Sequence, residues 1–172
     1  MLTDRPFATP RLALEPLVPA HAAAFHAALD HPEVWRFING PDVATVESQR
    51  ARIVRLADGC PRAGERWWNF AVFLRDDRTL IGHLQATTYG TWGEIAYMFG
   101  PRWWGQGLCG EATTWLLDHL AAHDVVELWA AVHPANQRSQ HLLIRRGFTA
   151  VDDPGRPLSS FDPGDAVFVR RP

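Results

Sequence analysis

The segment Phe99-Gly100-Pro101-Arg102-Trp103-Trp104-Gly105-Gln106-Gly107-Leu108-Cys109-Gly110-Glu111-Ala112 joins a strand-like run to a helix-like one, and its reading decides the fold. Before it, Glu94-Ile95-Ala96-Tyr97-Met98-Phe99 is apolar and strand-like. After it, Ala112, Leu116, Leu117 and Leu120 fall on one helical stripe of Gly110 to His123. Gly105, Gly107 and Gly110 leave backbone N–H groups bare where the helix begins, and the helix dipole adds partial positive charge there. A strand–turn–helix junction of this kind suits a phosphate. A Walker A loop is excluded, because the chain contains no lysine. The three glycines do satisfy the dinucleotide spacing G-x-G-x-x-G, but that fingerprint belongs to an early parallel βαβ unit. Here an antiparallel meander comes first, and Asp124 and Glu127, at a suitable distance for the acidic partner, do not end a following strand.

Working outward, Thr9-Pro10-Arg11-Leu12-Ala13-Leu14-Glu15-Pro16-Leu17 alternates from Leu12 as a first strand bounded by prolines. Pro19 to Asp30 predicts a helix with proline in its first turn, and Thr45 to Leu56 predicts a second, with Val46, Ile53 and Leu56 at helical spacing. Between them, His31 to Asp42 reads as a loop holding Trp35 and Phe37. Trp68 to Leu74 and Thr79 to Tyr89 flank the charged turn Arg75-Asp76-Asp77-Arg78 as a hairpin, which Glu94 to Phe99 continues antiparallel. Downstream, Val125 to Val132 is a continuous apolar run suited to burial on both faces. Asn136 to Arg146 predicts a short amphipathic helix ended by Gly147, and Phe148 to Val151 and Ala166 to Val169 complete the strands. The order β-α-α-β-β-β-α-β-α-β-β predicts an α/β (α+β) fold, a mixed sheet with helices on its faces. Nothing resembling a repeat or linker divides the chain, so one domain is expected over residues 1–172.

The 172 residues are 47% apolar and 21% charged, with a net charge of −2, a balance that argues against non-specific nucleic-acid binding. Neither a signal-peptide pattern nor an apolar run long enough to span a bilayer is seen, and two cysteines, Cys60 and Cys109, do not make a disulfide framework. A cytoplasmic protein with reduced thiols and no membrane partner is expected. Most of the eight Trp are expected in the core or in pocket walls.

Val132-His133-Pro134-Ala135-Asn136-Gln137-Arg138-Ser139 opens the short downstream helix, with Asn136 as its capping residue. Together with the glycine turn it resembles the GNAT N-acetyltransferase superfamily. Within it, the chain is most similar to the branch that acetylates the N-terminal alanine or serine of ribosomal proteins and related small amines. Thr9 to Leu17, Glu94-Ile95-Ala96-Tyr97, Trp104 to Cys109 and Glu111-Ala112 carry that second resemblance. It implies a mostly antiparallel twisted sheet and acetyl-CoA as co-substrate, without a metal. Trp104, Gly105, Gln106, Gly107, Leu108, Cys109 and Gly110 would hold the pyrophosphate, with Trp104 where the wider family has Gln or Arg and Cys109 at a position usually small. Met98 and Phe99 would end the strand that pairs with the pantetheine arm, and Asn136 would hydrogen-bond the arm from the far side.

An alkyl amine is protonated at neutral pH and needs a base before it can attack a thioester. Glu94, at the start of its strand, is the first choice, directly or through water; His83 and His133 are weaker ones. Many GNAT enzymes place an acidic Tyr four residues after the position of Ser139, but this chain has Leu143 there, so Ser139 is the nearest acid for the leaving thiolate. Tyr97 alternates to the face opposite Glu94 and would wall the acceptor channel with Trp35 and Phe37. The expected reaction is direct acetyl transfer from acetyl-CoA to a primary amine within a ternary complex. A non-catalytic acyl-CoA sensor on the same scaffold is the alternative, and a dinucleotide-dependent oxidoreductase a distant third. The acceptor ranges over a protein N-terminus, a polyamine, an aminoglycoside or a metabolite. A homodimer is compatible with the spare Trp and the C-terminal strand edge.

Overall fold

The computed structural model describes residues 7–38, 45–59, 62–153 and 155–172; Cys60 lies outside them. One eight-stranded sheet runs through the molecule in the order β1-β2-β3-β4-β5-β6-β8-β7. Its strands are β1 (Phe7–Ala8), β2 (Leu12–Pro16), β3 (Glu65–Leu74), β4 (Leu80–Tyr89), β5 (Trp92–Phe99), β6 (Glu127–Val132), β7 (Thr149–Val151) and β8 (Ala166–Arg170). Every neighbouring pair is antiparallel except β5 and β6. The mixed, mostly antiparallel sheet expected from the sequence is therefore the one observed.

Helices cover both faces. On one, α4 (Leu108–Ala121) and α5 (Gln137–Arg145) bury Leu116, Leu120 and Leu143 against Leu84, Ile95 and Leu128 of the sheet. On the other, α1 (Ala22–Leu29) and α3 (Val46–Ala57) bury Phe25, Leu29 and Ile53 against Ala71, Phe73 and Leu80. Alternation along the central strands supplies both cores, which is why β4 is buried almost throughout. Thr45 starts α3 with a capping box, its Oγ1 accepting from the Ser48 N–H at 3.1 Å.

Three differences from the sequence reading have local causes. A short strand, β1, precedes the expected one, and the chain turns between them because Thr9 N–H reaches back to the Leu12 carbonyl at 2.9 Å and Pro10 has no N–H for a ladder. The loop from His31 begins with a one-turn helix, α2 (Pro32–Trp35), capped by His31 Nδ1 accepting from the Glu33 N–H; residues 39–44 lie outside the described residues. Helix α4 begins two residues before Gly110, since Gly107 takes a left-handed φ of +76° as its N-cap.

Candidate active site

Three residue pairs hold β5 to β6, Trp92 with Glu127, Gly93 with Leu128 and Glu94 with Trp129; beyond them the strands part. β5 continues to Phe99 paired with β4, and β6 continues to Val132 paired with β8. Ile95 to Phe99 and Ala130 to Val132 thus flank a cleft of about 880 Å³. Strand backbone without a ladder partner offers N–H and C=O groups to a ligand, so a linear chain bearing amides could lie between the strands as another strand would.

The glycine turn closes one end. Gly105, Gly107, Leu108, Cys109 and Gly110 all line the cleft. No side chain caps α4, so its first N–H groups remain for a ligand. A cage of side chains fixes the turn from outside. Glu111, in the first turn of α4, accepts from the Thr9 hydroxyl (2.5 Å), the Arg11 N–H (2.9 Å) and Arg11 Nε (2.6 Å), while Arg11 Nη1 donates to the Gln106 carbonyl at 2.9 Å. Burial alone would raise the Glu111 carboxyl, but these hydrogen bonds and the Arg11 charge hold it below its ordinary value. The Gln106 side chain donates to the Arg102 carbonyl, away from the cleft, so only its backbone bears on the turn. Trp104 Nε1 donates to the Phe99 carbonyl at 2.6 Å, and the Arg138 guanidinium stacks on the Trp104 ring at 4.1 Å.

Gly110 meets the Arg146 side chain. A Cβ there would run into the Arg146 guanidinium, whose Nε donates to the Gly110 carbonyl at 3.1 Å. That contact joins the end of α5 to the start of α4 and brings Arg146 to the cleft wall beside Arg138 and Arg145. The turn is therefore faced by helix N–H groups, with the Arg146 guanidinium at Gly110 and that of Arg138 on Trp104, an arrangement that fits a pyrophosphate. Burial pushes the Cys109 thiol up to about 12, so it is a packed thiol rather than a nucleophile.

From the far wall, Asn136 Oδ1 accepts from the Ser139 N–H at 3.2 Å and starts α5. Ser139 Oγ lies 2.8 Å from the Tyr97 hydroxyl, which also donates to the Ser139 carbonyl at 3.3 Å. Burial raises the Tyr97 pKa further above its ordinary value, so the phenol keeps its proton. Leu143 is fully buried in the core and has no part in the cleft. Tyr97, expected from the sequence to wall the acceptor channel, lines the cleft and is also hydrogen-bonded to Ser139.

The chain matches the acetyltransferase (GNAT) domain family over residues 11–149. It belongs to the GNAT acetyltransferase family. No curated protein matches it significantly. Among solved structures, this GNAT chain is similar to one from Vibrio cholerae designated a ribosomal-protein-serine acetyltransferase, with 23% identity, 100% of both chains covered and a TM-score of 0.82. It is also similar to the ribosomal-protein-S5-alanine acetyltransferase of Vibrio fischeri, with 17% identity, 98% and 97% covered and a TM-score of 0.75. A third is RimL, a ribosomal-protein α-N-acetyltransferase in complex with coenzyme A, with 18% identity, 97% and 98% covered and a TM-score of 0.79. At these identities the likeness is one of fold.

Two of the acceptor-side residues read from the sequence divide in this GNAT chain. Phe37 lines the cleft, its ring 5.1 Å from that of His133 across the mouth. Trp35 does not; it belongs to the one-turn α2 and packs against the core beneath α1 and α3. Met98 lines the cleft while packing on that same core. Glu94 is 4% exposed and lies beside the cleft rather than on it. Its oxygens accept from the Ser159 N–H (3.1 Å) and hydroxyl and from the Ser160 N–H (3.2 Å) and hydroxyl (3.0 Å). Ser160 is the link, lining both the cleft and a cavity of about 20 Å³ next to Glu94, the size of a single water. Neither Ser160 nor the Thr9–Arg11–Glu111 cage was read from the sequence. The nearest signals were the acidic, Ser-bearing stretch before β8 and the Thr-Pro-Arg opening. Of the histidines, His83 is buried and neutral, pushed down to about 3 by burial and then by Arg52. His133 is exposed, its Nδ1 accepting from the Ala135 N–H at 3.2 Å.

Proposed function

We propose that this chain is an acetyl-CoA-dependent N-acetyltransferase acting on a primary amine by direct transfer. One observation carries the reading: β5 and β6 part into a cleft that ends at a glycine-capped helix N-terminus surrounded by guanidinium groups. The pantetheine arm lies along the parted strands, with Asn136 on the far wall, and the pyrophosphate meets the N–H groups of Gly105 to Gly110. RimL, of the same fold, is known in complex with coenzyme A, which supports this placement.

In the reaction, a C–N bond forms between the acceptor and the acetyl carbon, the C–S bond breaks, and one proton passes from nitrogen to sulfur overall. Glu94 serves as base through Ser160. Ser160 Oγ–H already donates to Glu94 Oε2, so a proton arriving from the amine at Ser160 Oγ releases the serine's own proton to the carboxylate. At the other end the Ser139 hydroxyl, held by the Tyr97 hydroxyl, donates a hydrogen bond to the departing sulfur, and the proton the thiolate finally takes is the one released by the amine. A thiol needs no strong acid, since its pKa is near 8.5. The buried, high-pKa Cys109 offers no acyl-carrying site, which favours direct transfer.

The test is release of free thiol from acetyl-CoA across a panel of primary amines, with Glu94→Gln and Ser139→Ala alongside. Turnover that falls about 100-fold in Glu94→Gln, with acetyl-CoA binding kept, is the expected result. Acetyl-CoA binding without turnover on any amine would favour a sensor.

A further inference from the structure

Across the cleft from the glycine turn, α3 contributes Arg52 to the wall. This guanidinium pairs with no carboxylate among the described residues, and its Nη1 is closed off from solvent without an acceptor. A buried cation without a counter-charge is unfavourable. Its surroundings do not compensate. Arg55 on the same helix repels it, and His83 beside it is neutral. Two of the carboxylates that share the cleft are turned elsewhere: Glu33 pairs with Arg36 at 3.5 Å, and Asp165 accepts from the Asp162 N–H at 3.1 Å. One turn earlier on α3, the buried Gln49 also leaves Nε2 without an acceptor. Gln49 does not line the cleft, but Arg52 does, so what this wall lacks among the described residues is an acceptor of hydrogen bonds carrying negative charge.

We propose that Arg52 receives an oxyanion, carboxylate or phosphate, borne by the amine acceptor, so that the enzyme selects acidic amines over simple ones. The inference rests on the acetyltransferase reading above. It does not concern the phosphates of coenzyme A, for which Arg138 and Arg146 stand at the glycine turn. A guanidinium fork matches paired anionic oxygens, and its strength rises away from water. Fixing the acid at Arg52 would leave the amine of the same molecule free to face the thioester.

The experiment compares matched acceptors: alanine against alaninamide, phosphoethanolamine against ethanolamine, and alanyl-aspartate against alanyl-asparagine. At least one anionic member is expected to exceed its neutral partner about 10- to 100-fold in kcat/KM, and the pair that does so identifies the source of the oxyanion. Arg52→Met should reduce that preference to within about twofold, and Arg52→Lys should keep part of it. Equal rates within all three pairs, or a preference unchanged in Arg52→Met, would overturn the proposal. If no amine is acetylated, it is the acetyltransferase reading that fails. The same compounds are then read in thermal unfolding with acetyl-CoA present, where stabilisation by an anion in the wild type but not in Arg52→Met supports the site and its absence overturns it. Arg52→Met itself should unfold at the same temperature or higher. A marked loss of stability in both Arg52 variants would mean a structural counter-charge and contradict the inference.

Discussion

The two walls of the cleft are built on opposite terms. On the cofactor side the polar groups that shape the site are already joined: Glu111 to Thr9 and Arg11, Ser139 to Tyr97 and Asn136, Arg146 to Gly110. On the acceptor side, Arg52 keeps a buried donor that meets no acceptor among the described residues, beside a neutral His83. The cofactor side is organised before any ligand arrives, and part of the binding energy is therefore not consumed in ordering it. On the acceptor side the unmet guanidinium donor is the one we assign to the acceptor's oxyanion.

That contrast can be broken at four points. The largest effect is expected at the glycine turn. Gly107→Val places a β-branched residue at φ +76° and should weaken acetyl-CoA binding by about 100-fold or more in a calorimetric titration, with about 1–3 kcal/mol lost in stability. If binding survives, the turn is not where the phosphates sit. Next, Tyr97→Phe removes the hydroxyl that orients the Ser139 hydroxyl and should lower kcat about 10-fold while leaving the acetyl-CoA KM within about twofold. An unchanged kcat would leave Tyr97 a packing residue.

A third effect separates the walls by pH. His83 stays neutral in the folded chain down to about pH 3, whereas the unfolded chain takes up that proton near pH 6.5. Stability is therefore full above about pH 6.5 and falls as the pH drops toward 3, by up to about 1.4 kcal/mol per unit. Urea unfolding of His83→Gln should show a correspondingly flatter slope between pH 6 and 4. Glu111, whose pKa is depressed, works at lower pH: its contribution is present above about pH 4.5, the ordinary carboxylate value, and is lost as the pH falls through its folded value. The smallest change is expected for Arg11→Ala. Half-exposed Arg11 holds the turn from outside, so its loss should cost about 0.5–1 kcal/mol and a few-fold in acetyl-CoA affinity. A loss confined to stability would separate bracing of α4 from shaping of the turn.

How much was legible in the sequence follows the same division. The cofactor side is written in contiguous stretches, Glu94 to Ala112 and Val132 to Phe148, where glycine spacing and strand-to-helix changes report backbone geometry directly. The mixed, mostly antiparallel character of the sheet followed from those stretches together with the family resemblance, whereas the spatial strand order and the single parallel pair, β5 with β6, come from the folded chain. Gly110 shows the limit: its spacing suggested a bare N–H, but it also meets Arg146, a contact across 36 residues. The same limit applies to Glu111, tied to Thr9 and Arg11 about a hundred residues away. Tyr97 was assigned to the correct face by alternation, yet its partner Ser139 comes from a helix whose placement no periodicity reports. Trp35 and Phe37 look alike in sequence, and one turn of helix sends only the second to the cleft. Arg52 is indistinguishable in sequence from Arg50 and Arg55; its burial and lack of a partner exist only in the folded chain.

The central claim is that the cleft between β5 and β6 takes acetyl-CoA. Thermal unfolding with acetyl-CoA at about 100 times its dissociation constant, against NAD and ATP, tests it most directly. About 2.7 kcal/mol of stabilisation is expected, a rise of roughly 5–11 °C for a chain of this size, with no comparable rise for NAD. No rise with acetyl-CoA, or a rise with NAD alone, would contradict the account.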